Sequence, residues 1–272
     1  MTLTATILGC GFSGGVPRPG SGWGQCDPQE PKNRRRRCSL LVERRSAAGV
    51  TRVLVDTSPD LREQLLDANV DWVDGVLFTH EHADHTHGID DLRGLFIHKR
   101  RRLDVWMDEA TSRVVTHRFH YCFETPPGSN YPPIANEHRL VPGQTVEIAG
   151  EGGTIRAMPF VVHHGDIMAL GFRFDGLAYT PDVVDIPDDS TVHLHGLDIW
   201  IVDALWHRQH PSHFSVGDAL RWIDRMKPRA AVLTNLHTDL DYNALRASLP
   251  DGVMPAFDGM RLGLPGTVGS GS

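Results

Sequence analysis

The stretch Thr79-His80-Glu81-His82-Ala83-Asp84-His85 holds four metal-capable side chains within six residues, directly after the apolar run Gly75–Phe78. If the chain stays extended through His80 and His82, a period of two puts both imidazoles on one side. A turn or helix start then swings Asp84 and His85 toward a neighbouring point. Two imidazoles for one cation and an Asp–His pair for a second would sit a few ångströms apart. Imidazole and carboxylate suit Zn²⁺, and also Mn²⁺ or Fe²⁺.

A two-ion site needs more donors, and they occur where other apolar runs end. Arg156–Val162 leads into His163-His164-Gly165, Leu177–Thr180 into Pro181-Asp182, Ala230–Thr234 into Asn235-Leu236-His237, and Arg52–Val55 into Asp56. Strand ends of layered sheets converge on one edge, where sites commonly form.

The elements that must position these residues are mostly strands. β-branched and apolar runs predict Leu3–Leu8, Ser39–Val42, Arg52–Val55, Gly75–Phe78, Leu103–Trp106 and Thr145–Ile148. They also predict Thr154–Val162, Ala169–Phe174, Leu177–Thr180, Ile199–Val202 and Ala230–Thr234. Helical patterns cover Pro59–Ala68, Gly88–Phe96, Glu109–His120, Val216–Met226 and Tyr242–Ser248. In the fourth, Ser215 and Asp218 make a capping box, and Ala219, Leu220, Ile223 and Met226 form one apolar face. Many strands with interspersed helices imply layered α and β structure. The glycine-rich Gly9–Gly15 is followed by Val16-Pro17-Arg18-Pro19, which cannot open a helix, so a dinucleotide loop is excluded.

With 272 residues and ordinary globular composition, one domain over residues 1–262 is expected, with the Gly/Ser-rich 263–272 as a flexible tail. A net charge of −7 argues against stable nucleic-acid binding but leaves room for a local basic patch. No apolar run is long enough to span a bilayer, and the N-terminus lacks the pattern of a signal peptide. Cys10, Cys26, Cys38 and Cys122 form no disulfide pattern, which fits a reducing cytoplasm.

Asp56, His80-x-His82-x-Asp84-His85, a strand-end His, a strand-end Asp and a final His together resemble the metallo-β-lactamase superfamily. Within it, Leu8–Pro17, Asn33–Arg35 to Ser39–Val42, and Gly88–Arg93 are similar to the phosphoribosyl cyclic phosphate phosphodiesterases. The resemblance implies a four-layer αββα sandwich with two divalent ions, zinc or manganese. His80, His82 and His164 would bind the first ion and Asp84, His85 and His237 the second. Asp182 would bridge them, and Asp56 would orient the first cluster. His164 is preferred to His163 because it precedes Gly165 and alternates with Phe160 and Val162. Relatives often carry Leu-Thr-His where this chain has Leu233-Thr234-Asn235-Leu236-His237, so His237 must reach the site through a shifted or bulged strand end. An accessory zinc site is not expected, since Cys26 lacks the second thiolate of a Cys-x-Cys pair.

Two ions bring +4; Asp84, Asp182 and a hydroxide leave about +1, suited to a phosphodiester monoanion. The leaving oxygen then needs a proton, and His213, just before the capped helix, is the candidate general acid. Asp84 joins it in the catalytic set. Arg35 (or Arg34) and Arg93 are candidate phosphate contacts. Trp23 and Tyr131 could stack on a base or sugar, although core or loop packing is the commoner role for each, and the Pro-rich Thr125–Pro133 reads as a loop near the active face. The function expected is hydrolysis of a small cyclic phosphate or nucleotide-like phosphodiester. Alternatives are another ester (an RNA 3′ end, a lactone or a thioester) or a non-catalytic carrier of the same fold. RNA processing would call for a Lys/Gly-rich arm, which the sequence lacks, and a carrier has no need of the full ligand cluster. Homodimerisation is left open.

Overall fold

The computed structural model describes residues 2–264. One seven-stranded sheet holds β1 (Thr2–Gly9), β2 (Ser39–Ser46), β3 (Gly49–Val55), β4 (Gly75–Leu77), β5 (Leu103–Met107) and β6 (Ala135–Arg139), with β14 (Arg261–Gly263) beside β1. The other runs β7 (Val146–Ile148), β8 (Ile155–His164), β9 (Ile167–Phe174), β10 (Leu177–Thr180), β11 (Ile199–Asp203), β12 (Ala230–Thr234) and β13 (Val253–Pro255). Each sheet is antiparallel in one part and parallel in the other: β3 to β6 pair in parallel, as do β10 to β13.

Alternation sets the layers. Leu3, Ala5, Ile7, Leu40, Val42, Val53 and Val55 meet Phe172, Phe174, Tyr179 and Ile201 between the sheets. Their neighbours face outward. Leu41, Leu54 and Val76 lie under α1 (Leu61–Asp67), α3 (Leu92–Lys99), α4 (Glu109–Arg118) and α5 (His120–Phe123); the short α2 (Ala83–Thr86) follows β4. Phe160, Val162, Trp200 and Val202 form the opposite outer core with α7 (Val216–Met226) and the flanking α6 (Asp188–Thr191) and α8 (Tyr242–Ser248). Helix, sheet, sheet, helix is the sandwich the sequence implied. No described helix is long and apolar enough to cross a membrane.

Three strands escaped the sequence reading: β6, β13 and β14. In β14, Gly263 pairs with Thr4 and Leu264 is buried, so the folded unit runs past residue 262. The expected flexible tail otherwise lies outside the described residues. The glycines of the first loop serve close approach: a Cβ at Gly9 would stand 2.1 Å from the Arg37 carbonyl oxygen.

Candidate metal centre

β4 delivers His80 to the seam between the sheets, and α2 begins at Ala83 with His82 still extended as its N-cap. The helical turn then brings Asp84 and His85 around. β8 ends at His164, β10 delivers Asp182 and β11 delivers Asp203. Ring centroids of His80 lie 4.6 Å from His82, 4.4 Å from His85 and 5.0 Å from His164. One Asp182 oxygen, Oδ2, lies 3.4 Å from His80 Nε2, 3.6 Å from His164 Nε2 and 3.2 Å from His85 Nε2.

Three groups of donors share Asp182: His80, His82, His164 and Asp182; Asp84, His85 and Asp182; and, toward the rim, Asp182, Asp203 and His213. The rings are held from behind. His164 Nδ1 meets the Ser212 carbonyl at 2.8 Å, and His80 Nδ1 meets Thr79 Oγ1 at 2.9 Å. His85 Nδ1 meets Asp56 Oδ2 at 2.7 Å, while the Thr79 N–H donates to Asp56 Oδ1. Such contacts fix the tautomer that turns the other nitrogen toward a cation. The Nε2 atoms of His80 and His85 are buried and have no hydrogen-bond partner among the described residues. Buried imidazole nitrogens converging with a carboxylate oxygen fit a divalent cation.

Burial holds the His80 pKa well below the ordinary value, keeping it neutral and able to ligate. Burial also opposes charge on His85, yet Asp182, Asp56 and Asp84 outweigh it and raise its pKa. Burial would raise the Asp182 pKa, but the charge on His85, 3.2 Å away, holds it well below the usual carboxylate range. A cation would take over the part that a proton on His85 plays.

His213 stands at the rim of this cluster, its ring 4.7 Å from that of His164. Its Nδ1 lies 2.8 Å from Asp203 Oδ2. Burial disfavours the imidazolium, but Asp203 prevails and pushes the His213 pKa up to about 9. Asp203 was missed from the sequence. It ends an apolar strand as Asp56 and Asp182 follow theirs, and the same rule would have found it.

Two expectations need correction. His237 does not join the donors. β12 ends at Thr234, and Asn235 turns the chain with φ 61°, so strand alternation stops there. Leu236 bonds the Cys10 carbonyl, and the His237 ring packs against Phe12 and Trp206 at 4.4 and 4.6 Å. Asn235 reaches the site instead: its Nδ2 donates to Asp182 Oδ1 at 2.9 Å and Asp203 Oδ1 at 3.1 Å. Arg35, proposed as a phosphate contact, is 1% exposed. It donates to the carbonyls of His237 and Leu240 and to Asn33 Oδ1, bracing two loops. Its backbone pairs with Val16, which turns the guanidinium inward.

The remaining candidates sit apart from the donors. His163 pairs its backbone with Asp185 and is half-exposed. Arg93 pairs with Asp90 at 2.9 Å and lines a cavity of about 290 Å³ with Tyr121 and Tyr131. Arg34 lies over Trp23. The cavity that includes His82 is lined by His87, Arg118 and Phe119, about 530 Å³ in all.

Residues 51–235 match the β-lactamase superfamily domain, and the chain belongs to the metallo-β-lactamase superfamily. A crystal structure of a diphosphatase from the PhnP family is 34% identical, with a TM-score of 0.86 over 97% of this chain and 98% of that one. Zinc-bound PqqB from Methylobacterium extorquens shares the fold at 17% identity and a TM-score of 0.74, over 96% of this chain and all of that one. An octanoyltransferase of Porphyromonas gingivalis is 32% identical over 263 residues. That match covers 95% of this chain and 51% of the relative, so the chain spans about half that protein's length.

Proposed function

We propose that the chain hydrolyses a phosphodiester-type linkage in a small molecule: a cyclic phosphate, a nucleotide-like diester or a substituted diphosphate. The observation that carries this reading is the meeting of seven groups at one seam. His80, His82, His164, Asp84, His85 and Asp182 form the donor set, and His213, backed by Asp203, stands at its rim. The similar PhnP-family diphosphatase supports phosphorus as the atom attacked. A diphosphate substituted at both ends, like a phosphodiester, carries one negative charge on each phosphorus.

Two divalent cations, when bound, would lower the pKa of water and offset charge on the phosphoryl oxygens. His80, His82, His164 and Asp182 would hold one, and Asp84, His85 and Asp182 the other. Asp182 presents Oδ2 to both groups because Asn235 occupies Oδ1. His213 in its imidazolium form donates its Nε2 proton to the departing oxygen, and Asp203, 2.8 Å from Nδ1, steadies the charge on the ring. Asp84 would act as one of the residues that hold the second cation. Zinc and manganese both suit these donors.

The test is turnover by metal-loaded protein of a panel: an aryl phosphodiester, a ribose cyclic phosphate, a dinucleoside diphosphate, a lactone and a thioester. Hydrolysis confined to the phosphorus compounds is expected. Turnover of the lactone or thioester alone would overturn the reading.

A further inference from the structure

The arginine run Arg34–Arg37 is divided by the fold. Arg35 is buried and Arg37 pairs with Asp60, whereas Arg34 and Arg36 border a groove away from the donor cluster. The groove has a volume of about 630 Å³ and lies on the outer face of the first sheet, beside β14 and the C-terminal end of α1. Six cationic side chains line it: Lys32, Arg34, Arg36, Arg45, Arg52 and Arg261. Only three carboxyl groups do, Glu43, Asp67 and Asp258. In a chain of net charge −7 this is a concentrated reversal of sign.

The cations outnumber their partners. Glu43, 4% exposed, faces three guanidiniums: Arg45 at 2.8 Å, Arg52 at 3.0 Å and Arg261 at 3.8 Å, of which only Arg52 has a further carboxylate among the described residues, Asp71 at 3.0 Å. Arg36 takes Asp67 at 2.6 Å. Asp258 is occupied by the N–H groups of Cys10 and Arg36, and burial pushes its pKa up to about 7, which weakens it as a counter-charge. Among the described residues Lys32 has no carboxylate partner; its Nζ lies over the rings of Tyr242 and Phe257. Arg45 and Arg261 keep 46% and 63% of their side chains in water, so their free N–H groups remain available. Guanidinium forks that share one carboxylate bind phosphate oxygens through charge-assisted hydrogen bonds. The volume matches a nucleotide-sized ligand.

We infer that this groove binds the phosphates of a small polyphosphorylated molecule, separately from the reaction at the donor cluster. Isothermal titration with inorganic tripolyphosphate tests it, comparing the parent with Asp182→Ala and with Arg45→Gln/Arg261→Gln. The expected result is one site retained in Asp182→Ala and weakened more than about tenfold in the double arginine variant. ATP should compete for the same site. Binding lost in Asp182→Ala and kept in the arginine variant would place the anion at the donor cluster and overturn the inference. So would no binding below millimolar concentration, or displacement of tripolyphosphate by single-stranded oligonucleotide in preference to ATP. Each arm reads binding, so the result stands apart from whether the protein hydrolyses phosphodiesters. Circular dichroism of each variant checks the fold.

Discussion

The replacement Asn235→His tests whether the two cation positions are unequal. The first has four donor side chains, while the second has Asp84, His85 and a share of Asp182. Asn235 contributes an amide N–H to Asp182 and Asp203, which orients carboxylates but gives a cation nothing. A four-ligand zinc site binds with about 10–16 kcal/mol, or about 3 kcal/mol per ligand, equivalent to roughly a hundredfold in Kd. The second zinc should therefore bind the parent about a hundredfold more weakly than the first. An imidazole at 235 can donate one N–H to Asp203 and turn its other nitrogen to the cation. His is also among the residues that tolerate positive φ, so the turn at 61° need not be lost. Zinc titration of metal-depleted protein against a chelating dye, with elemental analysis of the product, measures both steps. Asn235→His should tighten the second by about a hundredfold and leave the first unchanged. Two equal zinc affinities in the parent, or an unmoved second step in the variant, would refute the reasoning.

Four further outcomes are expected. His213→Ala should keep its metal but lose about 10²–10⁴ in turnover of an alkyl phosphodiester, and far less of an aryl one; equal losses for both would exclude the acid role. With Asp203 raising the His213 pKa, the parent's alkyl-ester rate should fall on the alkaline side as the imidazolium loses its proton, a limb that the pH profile of His213→Ala should lack. For Asp258, burial raises the folded pKa to about 7 from an ordinary value near 3.8. Between those values the folded state holds a proton that the unfolded chain has released, so stability falls with rising pH by about 1.4 kcal/mol per unit. From pH 5 to 8 the parent should lose about 2–3 kcal/mol more than Asp258→Asn in urea unfolding at fixed metal; parallel slopes would contradict this. Ser215→Ala removes the hydroxyl that accepts the Asp218 N–H at the start of α7, and should cost about 1 kcal/mol; a variant of unchanged stability in the same assay would show the cap to be idle.

What the sequence revealed, and what it hid, follows from the range of the interactions involved. His80 to His85 were legible because one short segment fixes their spacing, and a strand followed by a helical turn needs no distant partner. Layered α and β structure was legible from apolar, β-branched runs such as Leu40–Val42 and Val53–Val55, and the four-layer sandwich from the family resemblance. β6 was not, because Ala135-Asn136-Glu137-His138-Arg139 has little strand propensity and is extended by its pairing with β5. His237 looked right because alternation was assumed to continue through Asn235, and one positive φ cancels that assumption. Arg35 looked like a surface cation because its neighbours are arginines. Its burial depends on carbonyls at His237 and Leu240, some two hundred residues away in sequence.

The donors come from β4, β8 and β10, with α2 between them, and their supports from β3, β11 and β12. They span both sheets and about 180 residues from Asp56 to Asn235. An incomplete chain on the ribosome would lack either a donor or the groups that aim it, and a half-built sandwich would hold its histidines apart. Loop-closure entropy therefore makes the centre a late product of folding, assembled only once both sheets have docked. A cation that binds there favours the finished state over every partly ordered one. Its presence should slow unfolding much more than it speeds folding, making the bound ion a lock on the closed sandwich rather than a seed for it.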